Sequence, residues 1–430
     1  MDELLGFDVD VEGFASTLDQ ADESQQPEFA QHLQPTSKTT GEIGENDDLQ
    51  RADNVTANVV ASEEPLGVRV RATKMAGLGV FATRDFARGD VIFTERPQLV
   101  AAASTSSRHC AACLRALADC PAELPHAHLW PVAPRQTACA GCGAQYCCAT
   151  CLAADEKRGH RRLCAAIAAG DLDAFESCCR EQCAGLSADS KLSAVSARLA
   201  LQMMAHHAEL LQPSGCENKK ARPYAHLTEG LSSTAASAPR AASSSFASRL
   251  YPLVRAALRL SASESTTDGL DEPSLRALLN MVSSNATWVE PVSSFADYLA
   301  ASRTVRRREE DGRTLKQLEA HCAALRREHA EALNGSERVD EVADWVYGAR
   351  GGALYLLQSK MNHACVHPNC MLVCSFTDAT IDVVAKEEVP CGAELTISYC
   401  APGLDRARRR QQLRTSYGFD CCCPACVAGL

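Results

Sequence analysis

No apolar run in this 430-residue chain approaches the roughly 18 residues that a membrane-spanning helix needs. A basic start is also missing: "MDELLGFDVD" is acidic where a secretory signal carries positive charge. The first 65 residues hold only two cations, Lys38 and Arg51, against sixteen acidic side chains. A leader with a net charge of −14 leaves +3 of the whole-chain −11 for everything after Pro65, so the remaining body is nearly neutral. That body has no basic stripe of the kind that grips phosphates, and direct sequence-specific binding of nucleic acid is not expected. These absences describe an intracellular protein without a membrane segment.

The same reading makes the 23 cysteines the leading anomaly. Disulfides do not persist in a reducing compartment, so such a count favours metal ligation. At 430 residues and 46% hydrophobic content there is room for two or three domains with real cores. Residues 1–65 read as a disordered acidic tail; its opening "MDELLGFDVDVEGF" alternates acidic and apolar groups, as a solvated tail or a partner-docking motif does. A second low-complexity stretch, about 213–272 with "SSTAASAPRAASSSFAS", reads as an inserted loop.

Folded structure is expected from about residue 66. "GVRVRATKMAGLGVFATRDFARGDVIFTERPQLVA" alternates apolar and polar residues in short runs broken at Gly77, Gly79 and "ARGD", which reads as short antiparallel strands with tight turns. "ATIDVVAKEEVPCGAELTISYC" reads as two alternating strands with a turn at Gly392 and an end on Tyr399. "TLKQLEAHCAALRREHAEAL" spaces Leu315, Leu318, Cys322 and Leu325 along one face of a packing helix.

Three cysteine groups carry the metal argument. Cys110-x2-Cys113, Cys139-x2-Cys142, Cys147-x3-Cys151 and His160-x3-Cys164 are eight ligands in four close pairs, the number that two tetrahedral Zn²⁺ sites require. His160 and Cys164 are one helical turn apart, so both can face one ion. Near the C-terminal end, "YGFDCCCPAC" brings Cys421, Cys423 and Cys426 into one short loop that lacks a fourth ligand. Cys365, in "MNHACVHPNC", is the natural candidate for it, and three structural zinc ions follow.

The first eight ligands, with Tyr146 directly before Cys147, resemble a MYND zinc finger, a peptide-binding and scaffolding module. The resemblance implies interleaved sites, Cys110, Cys113, Cys147 and Cys151 on one ion and Cys139, Cys142, His160 and Cys164 on the other. "GLGVFATRDFARGDVIFTERP", "MNHACVHPN", "GAELTISY" and "CCCPAC" together resemble the SET domain of protein lysine methyltransferases and its post-SET zinc loop. A MYND finger inserted after the first SET strands is the layout of the SET and MYND domain-containing (SMYD) family.

The resemblance implies an α+β chain, a SET-domain β-clip fold of short antiparallel sheets with an inserted MYND finger and a C-terminal post-SET zinc loop. It divides the chain into the tail, a SET N-terminal part at 66–105, the MYND finger at 106–165, a helical insertion with the low-complexity loop at 166–275, the SET core at 276–400 and the post-SET segment at 401–430. It places an S-adenosylmethionine site on Ala76, Gly77, Leu78 and Gly79, on Asn362 and His363, and on Tyr399 and Phe419. Tyr417 and Phe419 would wall the substrate-lysine channel, and Tyr399 would be the catalytic hydroxyl. The implied function is methylation of a lysine in a protein substrate, with histones and a ribosomal protein as candidate substrates and peptide partners for the MYND finger. The alternative is a silent SET and MYND scaffold that recruits partners.

The chain departs from the family pattern in two places. Ala364 stands where serine is usual, and Val366 and His367 both separate Cys365 from Pro368 where one residue is usual. His367 is thus the extra residue, set to displace Asn369 by one step, and its deletion should restore the family spacing. "RARRRQQLR" resembles a weak nuclear signal, so the expected location is nucleus, cytoplasm or both.

Overall fold

The computed structural model describes residues 67–73, 77–103, 109–117, 127–130, 136–183, 191–211, 241–267, 269–289, 294, 298, 351–375, 377–400, 403–421 and 423–428. The acidic tail, Ala76 and the helix expected around Leu315, Leu318, Cys322 and Leu325 lie outside these described residues. Every described residue falls within the unit Glu45–Leu430.

Alternation in "VRVRAT" and "GLGVFA" becomes a hairpin. Strands β1 (Val68–Thr73) and β2 (Gly77–Ala82) pair antiparallel, with Val68 opposite Ala82 and Thr73 opposite Gly77. Val70 and Val80 turn into the core, while the Arg71 guanidinium lies 3.9 Å over the Phe81 ring. Strands β3 (Val91–Glu95) and β4 (Leu99–Ala102) follow, then a small pair, β5 (Thr137–Ala138) and β6 (Gln145–Tyr146).

Helix α1 (Ala149–Asp155) runs into a wide turn, Glu156–His160, and then α2 (Arg161–Ala169). Gly159 sits in that turn with φ 109°, and a Cβ there would meet the His206 backbone nitrogen at 2.6 Å, so only glycine lets the turn rest against the next helices. Those are α3 (Asp173–Cys183), α4 (Lys191–Leu210), α5 (Ala241–Ala257) and α6 (Glu272–Asn285). Phe175, Met204, Leu250, Val254, Leu258 and Leu275 form their common core.

Helix α5 corrects the loop expected across about 213–272. Its Ala- and Ser-rich sequence is low in complexity yet high in alanine, the best helix former, and Ala247 and Ala257 allow close packing inside the bundle. Helix α6 starts before residue 275, with Asp271 capping it by accepting from the Ser274 amide at 2.9 Å. No helix among the described residues is long and apolar enough to cross a membrane.

The chain returns through strands β7 (Thr287–Val289), β8 (Gly351–Leu354), β9 (Asn362–His363), β10 (Cys370–Cys374), β11 (Ile381–Ala385) and β12 (Glu394–Ile397). Three short sheets result, ordered β1-β2-β12-β9, β10-β11-β3 and β4-β8-β7. The two strands expected in "ATIDVVAKEEVPCGAELTISYC" are both present, and they join different sheets. One pairing departs from the antiparallel expectation: β12 runs parallel to β9, with Thr396 beside Asn362 and Ile397 beside His363. That pairing draws two distant motifs together. Arg198 of α4 ties the helical layer to the sheets, donating to the Ala102 carbonyl at 2.7 Å while paired with Glu176.

The C-terminal part is helix α7 (Arg406–Tyr417), capped by Asp405 and closed by Gly418 at φ 77°, followed by α8 (Pro424–Ala428). The left-handed Gly418 turns the chain so that Phe419 and Cys421 fold back toward β9.

Candidate active site and sulfur clusters

Asn362 and His363 form a strand only two residues long, and they are placed by β12 rather than by their own length. The Asn362 side-chain nitrogen donates to the Leu78 carbonyl at 3.1 Å and to Glu394 Oε1 at 2.7 Å. Both partners are acceptors, so both amide hydrogens are spoken for and the side-chain oxygen is left as the accepting end. Gly79 makes this possible: a Cβ there would lie 2.6 Å from Glu394 Oε1 and 3.1 Å from the Asn362 side-chain nitrogen. Gly79 is therefore required by a close approach between protein groups, whereas Gly77 is exposed at the hairpin mouth. Ala76 lies outside the described residues.

Tyr399 follows β12 and is the centre of an aromatic group. Its ring centroid is 4.6 Å from that of Tyr417, 5.2 Å from that of His363 and 6.5 Å from that of Phe419. The Tyr399 hydroxyl donates to the Met361 carbonyl at 2.5 Å. With its proton directed there, the oxygen presents its lone pairs elsewhere. Burial, and then the nearby Tyr417 and Glu394, push its pKa well above the usual phenol range, so the hydroxyl stays neutral at physiological pH. His363 is held down to a pKa of about 4 by burial and by the Arg409 charge, so its ring is neutral.

The inserted His367 is absorbed locally. It takes the left-handed conformation at φ 57°, and Asn369 stays locked to β12. The Asn369 side chain donates to the Glu394 carbonyl at 2.8 Å and accepts from the Thr396 amide at 2.8 Å. The extra residue stands exposed, and Asn369 beyond it is hydrogen-bonded to β12.

Twelve side chains come together in three groups: Cys110, Cys113, Cys147 and Cys151; Cys139, Cys142, His160 and Cys164; and Cys365, Cys421, Cys423 and Cys426. Within each group the ligating atoms lie within 4.8 Å of one another, and none of the described cysteines is in a disulfide. Four sulfurs at about 2.3 Å from a common centre sit about 3.8 Å apart along each tetrahedral edge. The observed separations match that edge: 3.7 Å for Cys113 to Cys147, 3.6 Å for Cys139 to Cys164, and 3.5 Å for Cys365 to both Cys421 and Cys426. In the second group His160 turns Nε2 toward Cys142 at 3.5 Å and Nδ1 toward the Asp155 carboxylate at 3.6 Å. A carboxylate behind a histidine fixes the tautomer that a metal needs. The donor sets fit tetrahedral zinc.

Sequence reasoning missed Glu394, the residue that orients Asn362. Its signal was a carboxylate on a strand whose neighbours, Leu395 and Ile397, are apolar and buried. Asp155 was missed as well, although it lies five residues before the His160 it supports.

The family model described as SET domain matches residues 77–400. The human protein-lysine N-trimethyltransferase SMYD5 is 27% identical over 395 residues, covering 86% of this chain and 88% of the relative. Histone-lysine N-methyltransferase SET5 of Eremothecium gossypii is 39% identical over 75 residues, covering 17% of this chain and 15% of the relative. SET domain and MYND-type zinc finger protein 6 of Schizosaccharomyces pombe is 32% identical over 80 residues, covering 19% and 16%. A SET match that runs from the β2 glycines to the residue after Tyr399, with likeness to SMYD5 along most of both chains, places this chain in the SET-domain family, on its SMYD branch.

Proposed function

We propose that this chain transfers methyl groups from S-adenosylmethionine to a lysine of a protein substrate, with histones and ribosomal proteins as the first candidates. Family membership makes it a lysine methyltransferase; the donor and the substrate class are the added reading. The observation that carries it is the meeting of His363, Tyr399, Tyr417 and Phe419 at one place although three separate segments supply them.

Gly77, Leu78, Asn362, His363, Tyr399 and Phe419 are the residues that would hold the donor. The accepting oxygen of Asn362, fixed by Glu394, suits an ammonium group, and the aromatic faces suit a flat base and a cation. When bound, S-adenosylmethionine supplies a methyl carbon activated by a sulfonium.

The chain's own part is to deliver a neutral amine in line with that carbon. A free lysine has a pKa of about 10.4, so deprotonation at pH 7 costs about 4.6 kcal/mol. The apolar walls of Tyr417 and Phe419 exclude water and lower that pKa by disfavouring the ammonium. The Tyr399 oxygen, its own proton held by Met361, accepts from the attacking nitrogen and fixes its angle, and such alignment contributes much of the acceleration.

Zinc belongs to the same reading and has a structural part. The first two groups would form a MYND finger, a docking site for peptide partners. The third would be the post-SET site, joining the Asn362–His363 strand to the loop that carries Phe419. The test is calorimetric titration of the zinc-loaded protein with S-adenosylmethionine, followed by tritium transfer to core histones and to ribosomal subunits. Binding with transfer to a lysine supports the proposal. A zinc-loaded chain that fails to bind the donor overturns it and leaves a scaffold.

A further inference from the structure

His363 stands between two sites. Its Nδ1 is 3.0 Å from the Tyr399 amide nitrogen, and its Nε2 is 3.0 Å from Cys365 Sγ. A backbone amide only donates, so Nδ1 is the acceptor, and in a neutral ring the hydrogen then resides on Nε2. The Ile397 carbonyl also lies near the ring. A hydrogen on Nδ1 directed at that carbonyl would leave the Tyr399 N–H facing another hydrogen, so the carbonyl does not change the assignment. Nε2–H therefore points at the sulfur of Cys365, a member of the third cluster.

We infer that His363 is a positioning residue that wires the third metal cluster to the catalytic strand, accepting from the Tyr399 amide with Nδ1 and donating to the Cys365 sulfur with Nε2. The inference rests on the reading of that cluster as a zinc site and of Tyr399 as the catalytic tyrosine. It changes the role expected of His363. With both ring nitrogens engaged by protein, only the backbone of this residue faces a cofactor.

The chemistry explains why a donor belongs there. Four thiolates around one divalent cation carry a net charge of −2, and each N–H directed at a sulfur spreads that charge. Arg409 serves the same end from another side, its positive charge set near Cys365 and Cys426. A histidine is the one side chain that offers a donor toward the sulfur while accepting from a backbone amide on its opposite edge. Loss of the metal would let Cys365 move and release the ring, and Tyr399 would lose the partner of its amide.

Two substitutions separate the two ends. His363→Asn keeps an acceptor near the Nδ1 position and has no donor at Nε2; His363→Gln keeps a donor near Nε2 and has no acceptor at Nδ1. In full-length zinc-loaded protein, chelator competition should show His363→Asn weakening one of three zinc ions by about 10- to 100-fold, the usual range for a lost partner of a ligand, while His363→Gln stays within about threefold. Ring-nitrogen NMR of the wild type should find Nδ1 bare and Nε2 protonated. The cobalt-substituted third site should shift its sulfur-to-metal absorption in His363→Asn and keep it in His363→Gln. The two zinc ions of the other clusters report folding in every variant. A protonated Nδ1 in protein that holds three zinc ions, or equal loss of zinc affinity in both variants, overturns the inference alone. Two zinc ions or fewer in folded wild type overturns the reading of the cluster and the inference with it.

Discussion

His367 offers a test in which backbone conformation, strand register and cofactor binding separate cleanly. It is exposed and takes φ 57°, a region where a residue with a Cβ is disfavoured by about 1–2 kcal/mol. His367→Gly removes that strain, and part of the gain is returned through the greater freedom of glycine in the unfolded chain. The net expectation is a stabilisation of about 0.5–1 kcal/mol with S-adenosylmethionine affinity unchanged. Deletion of His367 is different. It takes away the left-handed step that absorbs the extra residue and pulls Asn369 away from the Glu394 carbonyl, the Thr396 amide and the Lys386 amide, each now at 2.8 Å. At about 1 kcal/mol for each bond, the deletion should cost about 2–4 kcal/mol and weaken donor binding, because β12 carries Glu394 and leads to Tyr399. Restoring the family spacing is therefore expected to harm this chain, contrary to what the spacing alone suggests. Urea unfolding of zinc-loaded protein, paired with calorimetric titration of the donor, measures both quantities. A deletion variant as stable as wild type with intact affinity would refute the register argument, as would a His367→Gly protein less stable than its parent.

Purified protein should contain three Zn²⁺ per chain, and Cys365→Ser should contain two and bind S-adenosylmethionine more weakly, although Cys365 is not placed to touch the donor; metal analysis that finds three in the variant contradicts the ligand assignment. Tyr399→Phe keeps the ring and should leave donor affinity within about threefold while methyl transfer falls by about 10- to 1,000-fold or the number of methyl groups added changes; equal rate and equal product by mass spectrometry refute the role. Glu394→Ala frees the Asn362 amide to turn over and should weaken donor binding by about tenfold, read by calorimetry. Glu95 is pushed up to a pKa of about 7, mainly by burial, while the Leu357 and Gln358 amides that donate to it pull the other way. Since the folded carboxyl holds its proton more tightly than the unfolded one, its contribution is greatest below about pH 4.5 and is lost as pH rises toward 7, a fall of about 3 kcal/mol at most. The stability difference between wild type and Glu95→Gln should shrink over that interval, and a difference independent of pH would show that the two amides keep Glu95 ionised throughout.

Local spacing made the ligands legible and long-range pairing made the rest opaque. Cys110 with Cys113, or Cys147 with Cys151, can be read as pairs because a metal pair needs only a few residues between its members. The third cluster was legible by subtraction, since Cys421, Cys423 and Cys426 leave a tetrahedron one short. The hairpin of β1 and β2 was legible from alternation. Nothing in "GAELTISY" announces that it lies parallel to Asn362–His363, because a two-residue strand has no period of its own. Helix α5 was misread for a related reason. Low complexity reads as a loop, whereas the recurring Ala247, Leu250, Val254 and Ala257 positions make one buried helical face. Glu394 was hidden because its partner, Asn362, lies 32 residues away.

The short elements explain what a metal in the third cluster would add. A strand of two residues cannot hold Asn362 and His363 in place by hydrogen bonding alone, and the core beneath them is supplied by other segments, through Val80, Leu357, Met361 and Leu395. The loop after Gly418 is equally short of apolar support: its buried neighbours are Leu413 and the cysteines themselves. Burial of a single large apolar side chain contributes about 1.5–3 kcal/mol, whereas a closed zinc site contributes about 10–16 kcal/mol of apparent binding energy near pH 7. Loaded with zinc, the third cluster would substitute for a core where the Asn362–His363 strand meets the loop after Gly418. Four ligands around one point would hold the two segments at Cys365 and at Cys421, Cys423 and Cys426, beside the packed rings of Tyr399, Tyr417 and Phe419.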